Sequence, residues 1–228
     1  MTRKEIIRFL VLKSIGNFLI LFALYGVGAT FGPALYFELA YQLHSWQGVH
    51  YTVADAAPFG ATNVQTSTAP SLFVNSQNQL LIPKDTQFSI LIPKIGANSQ
   101  VFANVDPSNP DNYLPILKKG VAHARGTALP GEPGTIYLFA HSTDNFWDVG
   151  LYNAVFYLLK NLNQGDSVTL FYLGKRYDYT VSDTKIVDPS DVSFITDSRT
   201  TKSQLVLQTC WPPGTTWKRL LVIAKPSQ

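Results

Sequence analysis

No charged residue occurs between Lys13 and Glu38, and the interval is dominated by Ile, Leu, Phe, Val, Ala and Gly. A run of that length crosses the ~30 Å hydrocarbon layer as a helix, a form that satisfies its own backbone N–H and C=O groups in lipid. Residues 14–37 are therefore read as a transmembrane span. Arg3, Lys4, Arg8 and Lys13 precede it and Glu38 follows it. That bias directs residues 1–13 to the cytoplasm and the remainder of the chain outside the cell membrane, as a single-pass protein. A cleaved secretory signal has a shorter apolar core and a small-x-small cleavage site. Val27-Gly28-Ala29 matches such a site poorly, so the expectation is an uncleaved signal anchor.

Charge in the body of the chain is balanced. The formal net charge is +3, from 18 Lys+Arg against 15 Asp+Glu, and residues 1–13 account for all of it. With neither an arginine-rich stripe nor an aromatic RNA-binding signature, nucleic acid is excluded as a partner. The chain has one cysteine, Cys210. Exported domains use cysteines in pairs, so a lone thiol there is buried, paired between chains, or retained for its chemistry.

Residues 38–79 read as a juxtamembrane segment and linker. Tyr41, His44, Trp46, His50 and Tyr51 are amphipathic aromatics suited to a membrane interface. Ala54–Gln79 is rich in Ala, Thr, Ser, Asn and Gln and shows no sustained period. As a flexible tether it has an r.m.s. span of about 25–30 Å. The folded domain is expected over residues 80–228. Its β-rich segments are Gln87–Ile92, Gln100–Asn104, Gly120–His123, Thr135–Ala140, Ser167–Leu173, Lys175–Ser182, Gln204–Thr209 and Arg219–Lys225, separated by Pro, Gly, Asn and Asp. That is the pattern of a barrel or sandwich. Leu173-Gly174-Lys175 reads as a hairpin turn, and Leu151–Leu162, with apolar residues at helical spacing, reads as a helix ended at Gly165.

The stretch Gln204–Ala224 concentrates the chemistry. An apolar strand ends in Gln208-Thr209-Cys210, Trp211-Pro212-Pro213-Gly214 breaks it, and Arg219 opens a second apolar strand. If the two strands pair, a thiol and a guanidinium share one end of a sheet, where the positive charge acts on a thiolate or on an oxyanion. A thiol nucleophile also needs an acid or base. His141 directly follows the run Ile136–Ala140, at a strand exit, whereas His123 lies within a strand; His141 is favoured. Lys218 and Thr209 are expected to face away from Arg219 and Cys210 respectively. Trp211 and Trp217 are read as packing residues and Asp144 as a turn or cap residue. Asp183, Asp188, Asp191 and Asp197 are read as solvated turn residues rather than a Ca²⁺ site.

Taken together, Gly120-Val121-Ala122-His123, Gly126–Gly134, Phe139-Ala140-His141-Ser142, Leu158…Leu162…Gly165-Asp166, Leu207-Gln208-Thr209-Cys210 and Arg219-Leu220 resemble a sortase. Sortases are membrane-anchored cysteine transpeptidases of bacteria. The resemblance covers roughly Gln87–Lys225. It implies a mainly β fold: a closed eight-stranded barrel with one or two short helices, beside the N-terminal transmembrane helix. It implies His141, Cys210 and Arg219 as catalytic residues. Thr209 is a candidate substrate contact, and no cofactor or metal is expected. It implies cleavage of a Leu-Pro-x-Thr-Gly-type sorting-signal peptide between Thr and Gly, through a thioester. The acyl group then passes to an amine acceptor, a cell-wall precursor or a pilin lysine, anchoring or assembling surface proteins. Papain-like cysteine peptidases differ, since their Cys opens a helix and their His follows it in the chain. The competing readings are a membrane-tethered binding or scaffold module without turnover, and a thiol hydrolase. Three departures from the family's usual pattern bear on the sorting signal accepted. Ser142 follows His141 where many members have Arg, Gln208 stands where Val is more familiar, and Trp211-Pro212-Pro213 stiffens the loop after Cys210.

Overall fold

A computed structural model describes residues 3–48, 50–54, 78–142, 155–196, 202–213 and 215–227. The chain divides into two compact units, 1–42 and 43–228. The first is most of a single helix, α1 (Arg3–Trp46). Its Arg3–Gly28 portion has a mean hydropathy of 1.9 and none of its residues is buried in the fold; it is long and apolar enough to cross a membrane. Phe18 and Phe22, one turn apart, stack at 6.1 Å.

The second unit is built on eight strands: β3 (Phe88–Ile92), β4 (Ala97–Val105), β5 (Val121–Ala124), β6 (Thr135–Phe139), β7 (Ser167–Tyr172), β8 (Lys175–Val187), β9 (Gln204–Trp211) and β10 (Lys218–Pro226). They close into a barrel in the order β10-β8-β7-β3-β4-β5-β6-β9. The pairs β4·β5 and β6·β9 are parallel and the rest are antiparallel. All eight segments expected from alternation and turn residues are strands. β8 runs past its expected end at Ser182, because its second half pairs with β10 from Asp183↔Ile223 to Val187↔Arg219. Between β7 and β8, Tyr172 pairs with Lys175, leaving Leu173 and Gly174 at φ 49° and 76°. Two left-handed residues make the tight turn whose twist matches that of the strands, at a steric cost borne by Leu173.

The interior is the apolar cluster to which every strand contributes, including Ile90, Val101, Val121, Leu138, Leu170, Val181, Leu207 and Val222. A second cluster, with Ala122, Tyr137, Phe139, Val206, Leu221 and Ile223, uses the alternate positions and so lies on the outer face of β5-β6-β9-β10. Two short helices border it: α2 (Pro110–Leu117), through Tyr113, Ile116 and Leu117, and α3 (Ser193–Thr196), through Phe194 and Ile195. Coverage on both sides is why β6 and β10 read as unbroken apolar runs rather than alternating ones.

The remaining elements depart from sequence expectation in instructive ways. α2 begins properly, with the Asn109 side chain accepting from the Asp111 amide and Pro110 in the first turn. The signals that hide it are Pro115 within the helix and the Asn/Asp/Pro composition, which otherwise mark loops. The described part of the expected helix over Leu151–Leu162 is a 3₁₀ turn, Tyr157–Asn161, and 151–154 lie outside the described residues. Phe156, Leu159 and Leu162 nonetheless plug the barrel interior, and Gly165 follows at φ 96°. At the other edge of the chain, β1 (His50–Val53) pairs in parallel with β2 (Asn78–Leu81), so both ends of the stretch read as tether are held in one small sheet. Residues 55–77 lie outside the described residues.

His123 is a fully buried part of this architecture. Its Nδ1 accepts the Asn104 amide at 3.2 Å, so the proton sits on Nε2, which meets the Ala128 carbonyl at 3.0 Å and Thr127 Oγ1 at 2.9 Å. Burial is the main force on its pKa and pushes it below the ordinary value of 6.5. In the unfolded chain His123 regains that ordinary value and binds a proton more readily. Its contribution is therefore constant above about pH 6.5 and declines as pH falls toward the lowered native value. Urea unfolding from pH 8 to 5 should show this decline, and His123→Ala should remove that component. The same change should destabilise the domain at pH 8 by about 1–3 kcal/mol, since buried groups lose their partner. An unchanged midpoint at pH 8 would contradict the structural role.

Candidate active site

β9 and β10 pair with Cys210 opposite Arg219 and Gln208 opposite Leu221. β6 and β9 pair in parallel with Thr135 level with Gln204 and Phe139 level with Gln208. The Ala140 amide continues that ladder, donating to the Gln208 carbonyl at 3.2 Å. His141 lies two residues beyond Phe139, as Cys210 lies two beyond Gln208, so continuing the alignment past the end of β6 would set His141 beside Cys210. Cys210 and Arg219 are thus paired across β9 and β10, and the end of β6, which leads into His141, lies beside the same strand.

Alternation decides which way these residues face. Leu205, Leu207 and Thr209 point to the barrel interior and are buried; Gln208 and Cys210 belong to the outer face and are partly exposed. On β6 the outer face holds Tyr137, Phe139 and, by continuation, His141, which is also partly exposed. Thr209 faces the interior as expected, 2% exposed, and donates its hydroxyl to the Ala140 carbonyl at 3.1 Å. Its visible function is to tie the Cys210 strand to the residue preceding His141. Lys218 occupies the alternate position from Arg219 and pairs with Asp188 at 2.6 Å.

The Arg219 side chain is partly buried, and its Nη1 donates to the carbonyls of Thr216 and Lys218, both at 3.1 Å. The loop between β9 and β10 thereby holds the guanidinium at the rim. Trp211 packs against the interior cluster, but Trp217 does not pack: it is 73% exposed. The reading of Trp217 as a packing residue is corrected on that ground, since its position before the β10 ladder places it at the rim of the barrel. Asp144 lies outside the described residues, as does Asp197.

On the same face, the Tyr137 hydroxyl donates to Gln208 Oε1. Burial pushes the Tyr137 pKa above the ordinary tyrosine range, with the Arg219 charge opposing and Asp191 reinforcing the shift. The phenol is accordingly a neutral donor. Asp191 also caps the turn into α3 by accepting from the Ser193 amide at 3.1 Å and its hydroxyl at 2.6 Å. Those hydrogen bonds hold its carboxyl below the usual range. Asp183 accepts from the Thr184 amide at 2.8 Å. Among the described residues, no cluster of His, Cys, Asp and Glu is arranged to hold a metal ion. Sequence reasoning missed Tyr137; its signal was the two-residue spacing Tyr137, Phe139, His141 on one strand face.

The arrangement suits acyl transfer: a partly exposed thiol paired in register with an arginine, with a histidine just beyond the end of the neighbouring strand, on a half-covered apolar face. A family model for the Sortase domain matches residues 90–227. Sortase D of Bacillus subtilis (strain 168) is 31% identical over 137 residues, covering 59% of this chain and 60% of that protein. The match therefore spans less than two thirds of that relative. Sortase A of Listeria monocytogenes is 25% identical over 170 residues, 74% of this chain and 68% of the relative. Among solved structures, sortase C1 of Streptococcus agalactiae matches with a TM-score of 0.53 at 25% identity, covering 63% of this chain and 68% of that one. A Clostridium perfringens sortase C solved with the C-terminal cell wall sorting motif matches with a TM-score of 0.51 at 31% identity, covering 63% and 71%.

Proposed function

Because this chain belongs to the sortase family, we propose that it is a cysteine transpeptidase that cleaves a sorting-signal peptide and joins it to an amine, anchoring or assembling surface proteins. What supports this reading is the register pairing of Cys210 with Arg219, together with the parallel pairing of β6 and β9, which leads into His141 two residues past its last pair. Cys210 Sγ, as thiolate, attacks the Thr carbonyl of a Leu-Pro-x-Thr-Gly-type signal. The negative charge that develops on the carbonyl oxygen meets the Arg219 guanidinium. Collapse of the tetrahedral species breaks the Thr–Gly bond, and the departing Gly nitrogen takes a proton from the His141 imidazolium. An incoming amine gives a proton back to His141 as its nitrogen attacks the thioester, which returns Cys210 as thiolate. The outer-face cluster with α3 at its edge supplies an apolar floor for the peptide. The Clostridium perfringens structure with a sorting motif supports that class of substrate.

The deciding experiment is mass spectrometry of the purified domain with a Leu-Pro-x-Thr-Gly peptide. The expected result is a peptide adduct on Cys210 that is discharged onto an added glycine-based amine. Discharge to water alone identifies a hydrolase, and no adduct with any sorting signal leaves a binding module.

The apolar α1 supports a membrane anchor, and the cations of residues 1–13 support a cytoplasmic N-terminus. In intact cells a tag at residue 2 should resist external protease while the domain beyond residue 80 is digested on prolonged exposure. Cleavage of the tag from outside would reverse the orientation.

A further inference from the structure

Gln208 is the same-face neighbour of Cys210 on β9, about 7 Å away along the strand. Its register partners, Phe139 on β6 and Leu221 on β10, are both apolar, as are Val206 and Ile223 on the same face. A polar side chain in such surroundings is costly unless its groups are paired. The Tyr137 hydroxyl pairs one of them, donating to Gln208 Oε1 across the two strands. Tyr137 is itself 2% exposed, and its phenol keeps its proton, so the donor role is permanent. With the amide oxygen engaged by Tyr137, the Nε2–H donors are what the partly exposed Gln208 has left to offer a ligand.

An extended peptide advances about 3.3 Å per residue, so in a peptide running along β9 from Cys210 toward Gln208 the residue two positions before the acylated one would lie level with Gln208. In a Leu-Pro-x-Thr-Gly signal that residue is Pro, whose backbone offers a carbonyl acceptor and no N–H. An amide presented through its NH₂ is the complementary group. Resting on the sortase reading above, we propose that Gln208 is a substrate-binding residue that donates Nε2–H to the proline carbonyl of the sorting signal, and that Tyr137 is the positioning residue that aims it.

The test is steady-state transfer kinetics with the purified domain, using the Leu-Pro-x-Thr-Gly peptide and its analogue carrying a thiocarbonyl at Pro, a weaker acceptor. Gln208→Met should raise KM about tenfold with kcat within about threefold of wild type, a factor of ten being the size of one neutral hydrogen bond. Gln208→Glu, which keeps an acceptor for Tyr137 and lacks the donor, should raise KM at least as much. Tyr137→Phe should raise it by about threefold, because the amide remains but is free to turn. The thiocarbonyl analogue should penalise wild type and leave Gln208→Met nearly indifferent. Alkylation of Cys210 by iodoacetamide at the wild-type rate, with an unchanged melting temperature, separates a binding defect from misfolding. A KM within twofold of wild type in Gln208→Glu, or an equal thiocarbonyl penalty in wild type and Gln208→Met, would overturn the proposal and leave the transpeptidase intact. A wild-type domain that forms no thioester would instead sink the reading on which the proposal rests.

Discussion

Cys210→Ala is expected to abolish acylation, lowering turnover by on the order of 10⁴–10⁶, because removing the nucleophile of such a unit leaves only substrate binding and oxyanion stabilisation. No second thiol exists to substitute for it. The fold should survive the change. Cys210 lies at the partly exposed end of β9, forms no disulfide, and its neighbour Thr209 supplies the tie to β6. Intact-mass spectra with a sorting-signal peptide should show no adduct on the variant, and its thermal unfolding should stay within a few degrees of wild type. An adduct that persisted on Cys210→Ala would remove the thiol from the mechanism.

The second large effect is expected at His141 and Arg219. His141→Ala should lower turnover by about 10²–10⁴, the usual contribution of a general acid and base. Arg219→Ala should lower it by about 10²–10³, corresponding to roughly 2.7–4 kcal/mol for one oxyanion contact. Arg219→Lys should recover little, since an ammonium lacks the planar fork of donors and cannot reproduce the loop contacts that hold Nη1. The controls are adjacent in space and opposite in expectation. Lys218→Ala loses an exposed ion pair with Asp188, of a kind worth little to stability, and should retain most activity. His123→Ala should lose stability rather than chemistry, because its ring faces the interior and both nitrogens bond within the fold. Single-turnover thioester formation, measured beside urea unfolding, separates the two classes. If Lys218→Ala silenced the enzyme while Arg219→Ala did not, the register of β9 and β10 would have to shift by one. An inactive but stable His123→Ala beside an active His141→Ala would exchange the roles of the two histidines.

What the sequence determined by itself was local. The uncharged run from Ser14 dictates an apolar helix because its length and composition leave no other way to satisfy a backbone in lipid. The eight strands and the Leu173-Gly174 turn follow from side-chain alternation and from residues that terminate it, both readable within a few positions. The alternation even separates Thr209 from Cys210 and Lys218 from Arg219. Where local signals conflict with packing they mislead: Pro115 conceals α2, and the polar stretch before Leu80 conceals β2, whose partner β1 lies beyond residues 55–77. Tertiary structure alone decided the register that brings the end of β6, and with it His141, to the Cys210 strand, because β6 and β9 pair in parallel across the 3₁₀ turn, β7, β8 and α3. A parallel pair has no hairpin to set its alignment; here the Thr209 and Ala140 bonds and the apolar layers on both sides do so. The same crossover brings Tyr137 to Gln208. No spacing along the chain encodes that contact, since it exists only once a one-residue slip would turn every buried side chain of β9 to the wrong face.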